Sequence, residues 1–193
     1  MHDFQFDRSY SPEEFIEGKP NSLVWIVGLN PKNGGEGPDN RSLADLEDHF
    51  CNLDTVHPYF RDFRIVSESM YNGFGKNCGT AHTDIVKCAS KSFPGGRIRA
   101  VLIENCKPYL EVQLRRHKPK VIVCNGADVS KFMLAFIPPQ QSLAAFETSY
   151  WATFGGAPVC VVLSGFIGRI DNYAKRRLGA EIERRVCEIG TQT

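Results

Sequence analysis

The sequence predicts an α/β protein with three layers, α/β/α, in which helices cover both faces of a central, mostly parallel sheet of four strands. Two observations predict this class. Short apolar runs bounded by turn residues occur at residues 23–27 and 120–124, and such runs are typical of strands buried on both faces. Residues 80–88, in which polar His82, Thr83 and Asp84 precede Ile85 and Val86, predict another buried strand. Segments with apolar residues at helical spacing separate these runs, which favours parallel strands joined by helices.

Caps, apolar spacing and turn residues predict the other elements. A capping box at Ser11 with Pro12 in the first helical position predicts a short helix, and Ser42 caps a second one that extends to about residue 50. The remaining predicted elements are helices over 54–71, 102–117 and 127–136, a loop over 89–97, a hairpin of 149–154 and 158–163, and a C-terminal helix with apolar positions from 170 to 189.

Length, charge and cysteine usage limit the class of protein. A chain of 193 residues without an interdomain linker predicts a single domain, residues 1–193, and we expect a monomer. The net charge of +1 gives no global signature of a nucleic-acid binder. Seven cysteines without a C-x-x-C pair, a charged N-terminus and no membrane-length apolar run predict a cytoplasmic location with free thiols.

The stretch that carries the strongest functional signal is Gly28-Leu29-Asn30-Pro31, at the end of the first long strand. Gly28 allows a backbone or ligand to approach closely, and Pro31 ends the sheet pairing. Asn30 therefore lies at the carboxyl end of a buried strand, where open α/β sheets bind ligands. An ordinary turn rich in Asn, Pro and Gly is the alternative interpretation of this stretch.

Four motifs follow one another in a recognisable order. They are Gly28-Leu29-Asn30-Pro31, Thr83-Asp84-Ile85-Val86-Lys87-Cys88, Cys106-Lys107-Pro108-Tyr109-Leu110 and Val161-Val162-Leu163-Ser164-Gly165. This order resembles the uracil-DNA glycosylase superfamily over residues 23–182. The middle of the chain is most similar to the thermostable iron-sulfur branch, whereas the first motif resembles the mismatch-specific and single-strand-selective branches.

The resemblance implies an enzyme that flips a base out of DNA and hydrolyses its N-glycosidic bond. It implies that Asn30 positions the attacking water. It further places the base against Gly28, Leu29 and Pro31, with Asp84 at the position that reads the base edge. An aromatic side chain would stack on the base, and among Phe50, Tyr59 and Phe60 we choose Phe60.

Asp84 stands where the superfamily has an asparagine that reads uracil through both amide groups. An ionised carboxylate only accepts hydrogen bonds, so it would face the O4 acceptor of uracil with like polarity. The replacement suggests a base with an exocyclic amino group, a protonated Asp84, or no excision. His82 shares a strand face with Asp84 and either joins the same pocket or has a structural role.

The end of the last strand also departs from the superfamily, because Leu163-Ser164-Gly165-Phe166 replaces the usual His-Pro-Ser. The resemblance implies DNA contacts from Ser164 and Gly165, a wedge at Phe166 or Ile167, and phosphate contacts from Arg169, Asn172 and Lys175. A plain loop followed by a solvated basic helix remains the alternative.

Cys88 and Cys106 match two of the four cluster ligands of the iron-sulfur branch. The N-terminal cysteine pair of that branch has no counterpart, because no cysteine precedes Cys51. We therefore expect no iron-sulfur cluster, no metal and no cofactor. A base-binding or nucleic-acid-binding module without hydrolysis, and an unrelated nucleotide-binding α/β protein, are the alternatives to the glycosylase.

Overall fold

The computed structural model describes residues 6, 8–31, 41–48, 60, 62–66, 79–89 and 96–190. The strands in this part of the chain are β1 (Glu17–Gly18), β2 (Val24–Gly28), β3 (Thr80–Asp84), β4 (Val121–Cys124), β5 (Ser149–Phe154) and β6 (Ala157–Val162). The helices are α1 (Leu43–Glu47), α2 (Phe63–Val66), α3 (Gly96–His117), α4 (Ala127–Phe136) and α5 (Asn172–Gly190), and Pro12–Glu14 forms a 3₁₀ turn.

The strands form one sheet in the order β1-β3-β2-β4-β6-β5. The four inner strands are parallel, and β1 and β5 pair antiparallel at the two edges. The mostly parallel sheet is confirmed, but the predicted count of four strands is wrong for the described residues, which contain six. The sequence does not predict β1, because a strand of two residues is too short to show the alternation typical of a strand.

Helices cover both faces of the sheet, which confirms the three layers. Trp25 and Val27 of β2 pack with side chains of α3 and α4 on one face. Val24 and Ile26 point to the opposite face, where they pack with side chains of α2 and α5. Successive residues of β2 are thus buried on opposite faces, as its continuous apolar run predicts.

Several predicted boundaries differ from the structure. Strand β3 ends at Asp84 rather than at residue 88, and α3 begins at Gly96 rather than at residue 102, inside the predicted loop. The first predicted helix is a 3₁₀ turn with the predicted capping box. Most of the helix predicted over 54–71 lies outside the described residues, which include only Phe60 in a helical conformation and the short α2. Within the described helices, none is both long and apolar enough to cross a membrane.

Candidate base-binding site

The carboxyl ends of β2 and β3 bring the first two motifs together. In the parallel register of these strands, Gly28 lies opposite Asp84. Beyond the strands, the backbone N–H groups of Ile85 and Val86 donate to the carbonyls of Gly28 and Leu29, at 3.0 and 2.9 Å. Asn30 follows directly, half-buried, and its Nδ2 donates to the carbonyl of Pro31 at 3.0 Å. An amide and a carboxylate therefore share one edge of the sheet, where α/β folds bind ligands.

Gly28 is required because the two polar side chains of β3 occupy the space beside it. A Cβ atom at position 28 would lie 2.2 Å from Oδ1 of Asp84 and 3.1 Å from Nε2 of His82. Real Cβ atoms do not approach other atoms to 2.2 Å, so a side chain here would displace the carboxylate. The glycine of the motif thus makes room for Asp84 and His82.

His82 joins Asp84 to a second buried carboxylate. Its Nδ1 lies 2.8 Å from Oε2 of Glu17, and its Nε2 lies 3.9 Å from Oδ1 of Asp84. Because a carboxylate only accepts, Nδ1 carries the proton in the contact with Glu17. Arg41 donates to the other oxygen of Glu17 at 2.8 Å, and the ring of Phe60 meets His82 edge-to-face at 5.0 Å. Carboxylate, imidazole and carboxylate thus form a chain leading to Asp84.

Burial and neighbouring charges set the protonation states of this chain. Burial raises the pKa of Asp84 to about 6, against the lowering effect of His82, and the Glu17 carboxylate adds to the rise. Burial alone would lower the pKa of His82, but the carboxylates of Asp84 and Glu17 outweigh it and raise that pKa. The ionised form of Asp84 therefore predominates above pH 6. The raised pKa of His82 favours the protonated form of the imidazole that faces it.

A buried lysine holds the end of β3 from behind. The Nζ of Lys87, 1% exposed, donates to Oγ1 of Thr83 at 2.7 Å, to the carbonyl of Asp84 at 2.6 Å and to Oε1 of Gln113 at 2.7 Å. Gln113 in turn donates through Nε2 to the carbonyls of Glu13 and Phe15. The network ties the site to α3 and to the segment that leads into β1.

The two cysteines matched to the iron-sulfur branch interact with each other. A hydrogen bond from the Cys88 thiol lowers the pKa of Cys106 to about 6 and raises that of Cys88. No group of three or more His, Cys, Asp or Glu residues in the described ranges is arranged to hold a metal ion. Cys51 and Cys78 lie outside those ranges, so the absence of an iron-sulfur cluster stays a prediction.

The loop after β6 reaches the same edge of the sheet. Oδ1 of Asn125, just after β4, accepts from the N–H of Ile167 at 2.9 Å, and the carbonyl of Ser164 accepts from Oγ of Ser130 at 3.1 Å. Phe166 lies between these two anchored residues and is 44% exposed. Gly165 is exposed, Ser164 is half-buried, and Arg169 is exposed immediately after the loop.

Lys175 has a different setting from the one predicted. Its side chain is buried, and its ammonium group lies 3.1 Å from Oδ2 of Asp62. The ion pair connects the start of α5 to the residue before α2, so the positive charge of Lys175 is balanced by the Asp62 carboxylate. Of the two basic residues chosen from the sequence as DNA contacts, only Arg169 is exposed.

Two residues of the site had weak or no signals in the sequence. Glu17 lies on a strand too short to show a pattern, and Lys87 belongs to the motif of residues 83–88 without a role of its own in the sequence analysis. The register of β1 and β3 sets Glu17 opposite His82. The pairing of this buried histidine with a carboxylate can therefore be recognised only when that register is known.

Open α/β folds bind ligands at the carboxyl ends of their parallel strands, and in this α/β/α fold that edge carries an amide and a carboxylate. The family model of the uracil DNA glycosylase superfamily matches residues 15–166, most of the chain, and the protein belongs to that superfamily. This match confirms the resemblance and indicates a glycosylase type of function. None of the curated proteins compared with the chain matches it.

Proposed function

We propose that the protein is a monofunctional DNA glycosylase, which hydrolyses the N-glycosidic bond of a damaged or deaminated base flipped into the site at the ends of β2 and β3. The observation that carries the proposal is the register that sets Gly28 opposite Asp84 and brings Asn30 to the same edge. Asp84 is buried at the edge where ligands bind, and its ion-pair partner His82 lies 3.9 Å away, beyond hydrogen-bond distance, which leaves the carboxylate oxygens able to accept from a ligand.

Asn30 has the chemistry that this hydrolysis needs. Cleavage of the bond develops positive charge on the sugar and negative charge on the leaving base, so placement of water matters more than a strong base. An amide holds a water molecule without titrating, and Asn30 is half-exposed at the strand end. In the proposal Asp84 binds the base edge, Phe60 stacks on the base, and Gly28, Leu29 and Pro31 form the wall.

The loop after β6 supplies the DNA contacts in this proposal. Phe166 is exposed enough to enter the duplex as an apolar wedge, and Ser164 and Gly165 lie directly before it in the loop. Arg169 follows as an exposed cation suited to a phosphate. The proposal does not assign Lys175 to DNA, because its side chain is buried and its ammonium group is paired with Asp62. The proposal does not require a protein partner.

Excision from oligonucleotides tests the catalytic assignment. Asp84→Asn restores an amide with both a donor and an acceptor, so we expect it to create or raise uracil excision. Asn30→Ala in that background should lower the excision rate by roughly 10²–10³-fold, as loss of a group that acts in the transition state does. Alkaline cleavage at the abasic product measures both, with hypoxanthine and xanthine substrates alongside uracil.

Asn21→Ala serves as the matched control, because Asn21 is exposed and lies before β2, away from the carboxyl edge. It should leave excision unchanged. Folded Asp84→Asn and wild-type proteins that excise no base would contradict the enzyme. The site would then be assigned to base binding without hydrolysis, the alternative that the missing His-Pro-Ser favours.

DNA affinity should depend on salt through Arg169. Each phosphate contact that is removed lowers the slope of log affinity against log salt by about one unit, so Arg169→Ala should reduce the slope by about that amount. Arg115→Ala is the control, because Arg115 packs beside Gly155 in the β5–β6 turn at the opposite end of β6. Fluorescence anisotropy across a salt series measures the slopes, and an equal slope for Arg169→Ala and wild type would remove Arg169 from the interface.

A further inference from the structure

We infer that the site recognises a base edge with two adjacent hydrogen-bond donors, a ring N–H beside an exocyclic amino group, as in a 2-amino-6-oxopurine, so that the base within the proposed function is a damaged guanine rather than a deaminated base. The inference rests on the proposed function, since it assumes that a base enters the site at Asp84. It goes further by assigning the chemical class of that base.

Several of the described donor groups around Asp84 are already engaged within the protein. The N–H groups of Ile85 and Val86 already donate to the carbonyls of Gly28 and Leu29. Lys87 directs its ammonium protons to Thr83, to the Asp84 carbonyl and to Gln113, on the inner side of β3. A base that reaches the Asp84 side chain therefore meets carboxylate oxygens, which in the ionised form only accept.

The Glu17–His82 pair favours this accepting form. Glu17 holds the Nδ1 proton of His82 at 2.8 Å, which turns Nε2 toward Oδ1 of Asp84 at 3.9 Å. At 3.9 Å the contact is an attraction between charges rather than a hydrogen bond, so the lone pairs of the carboxylate stay available. Although burial raises the pKa of Asp84 to about 6, the carboxylate is mostly ionised at neutral pH.

Base edges differ in how they match two acceptors. A 2-amino-6-oxopurine presents N1–H and the 2-amino group side by side, and each can donate to one carboxylate oxygen. Hypoxanthine keeps N1–H but lacks the amino group, and xanthine replaces it with an oxygen that faces the carboxylate. Uracil flanks its one N–H with two oxygens. A carboxylate therefore selects the first edge and disfavours the others, because unmatched acceptors in a buried site are costly.

Three purines that differ only at C2 test the inference directly. Single-stranded oligonucleotides with one guanine, hypoxanthine or xanthine in a run of thymines are bound to wild-type protein, and affinity is measured by anisotropy. We expect the guanine strand to bind about tenfold or more tightly than the hypoxanthine strand, with xanthine weakest. In Asp84→Asn, which can pair with an N–H and an oxygen, the preference for guanine should disappear.

Calorimetry with guanosine, inosine and xanthosine forms a second arm, which distinguishes a base within a strand from a free purine nucleoside. Preference in either arm supports the inference and identifies the source of the ligand. Equal affinities for the three purines in both arms overturn it, and the wild-type comparison alone decides this if Asp84→Asn does not fold. Excision is measured separately. Base excision without the affinity order guanine, hypoxanthine, xanthine contradicts only this inference, whereas that affinity order without excision contradicts only the proposed hydrolysis.

Discussion

Gly179→Ala is expected to lower the free energy of unfolding by about 3 kcal/mol, although alanine is the better helix former. Gly179 is buried within α5, where that helix meets α2. A Cβ at position 179 would lie 1.5 Å from the carbonyl oxygen of Val66 and 2.5 Å from its carbon. Because these are backbone atoms, no side-chain rotation relieves the clash, and the helices must separate.

The sign of the change separates the clash from intrinsic helix propensity. Propensity alone predicts that Gly179→Ala stabilises the protein by about 1 kcal/mol. Ala180→Gly is the matched control, because residue 180 is the exposed neighbour in α5 and should lose about 1 kcal/mol through propensity alone. Urea unfolding at one pH measures both variants. An unchanged or raised stability for Gly179→Ala would show that the close contact of α2 and α5 is wrong.

The positions of Asn30 and Asp84 were predictable from the sequence because each follows a signal that is local. Asn30 comes shortly after five apolar residues and a glycine, and Asp84 directly precedes the apolar pair Ile85 and Val86. The alternation of strands and helices then implies a parallel sheet, in which both strand ends reach one edge. The structure confirms the mostly parallel sheet and shows the register that sets Gly28 opposite Asp84, while the roles of Asn30 and Asp84 stay proposals.

The electrostatic setting of the site was not predictable in the same way, because it depends on contacts between distant parts of the chain. Glu17 reaches His82 across 65 residues of sequence, through a strand of two residues. Lys87 is buried among neutral acceptors, whereas lysine is mostly exposed in proteins. A sequence pattern carries no signal for a residue that departs from the usual burial of its type.

These unforeseen contacts alter the interpretation of Asp84. In the sequence, Asp84 replaces the asparagine that reads uracil in the superfamily, and a protonated Asp84 is one explanation of that replacement. In the structure it lies at the end of a chain of alternating charge, with Glu17 beyond the imidazole and Lys87 bound to its backbone carbonyl. The residues around the carboxylate thus favour its ionised form, which favours a changed base preference over a protonated acid.

The stability of the protein relative to Lys87→Met should rise by a few kcal/mol between pH 7 and pH 10.5. Burial lowers the pKa of Lys87 from 10.5 to about 7, against the raising effects of the Asp84 carboxylate and the Cys106 thiolate. Between these two values the unfolded chain binds a proton that the folded chain does not. Stability linked to Lys87 is therefore lost as the pH falls from 10.5 to 7, and is constant below that range.

Methionine tests this linkage because it keeps most of the length of the lysine stem and cannot titrate. Urea unfolding of both proteins across the pH range gives the difference in free energy, which removes the contribution of groups common to both. Lys131→Met, at an exposed position of α4, is the control and should show no such pH dependence. A flat difference for Lys87→Met would mean that the ammonium stays fully charged in the folded protein, held by Thr83, Gln113 and the Asp84 carbonyl strongly enough to offset its burial.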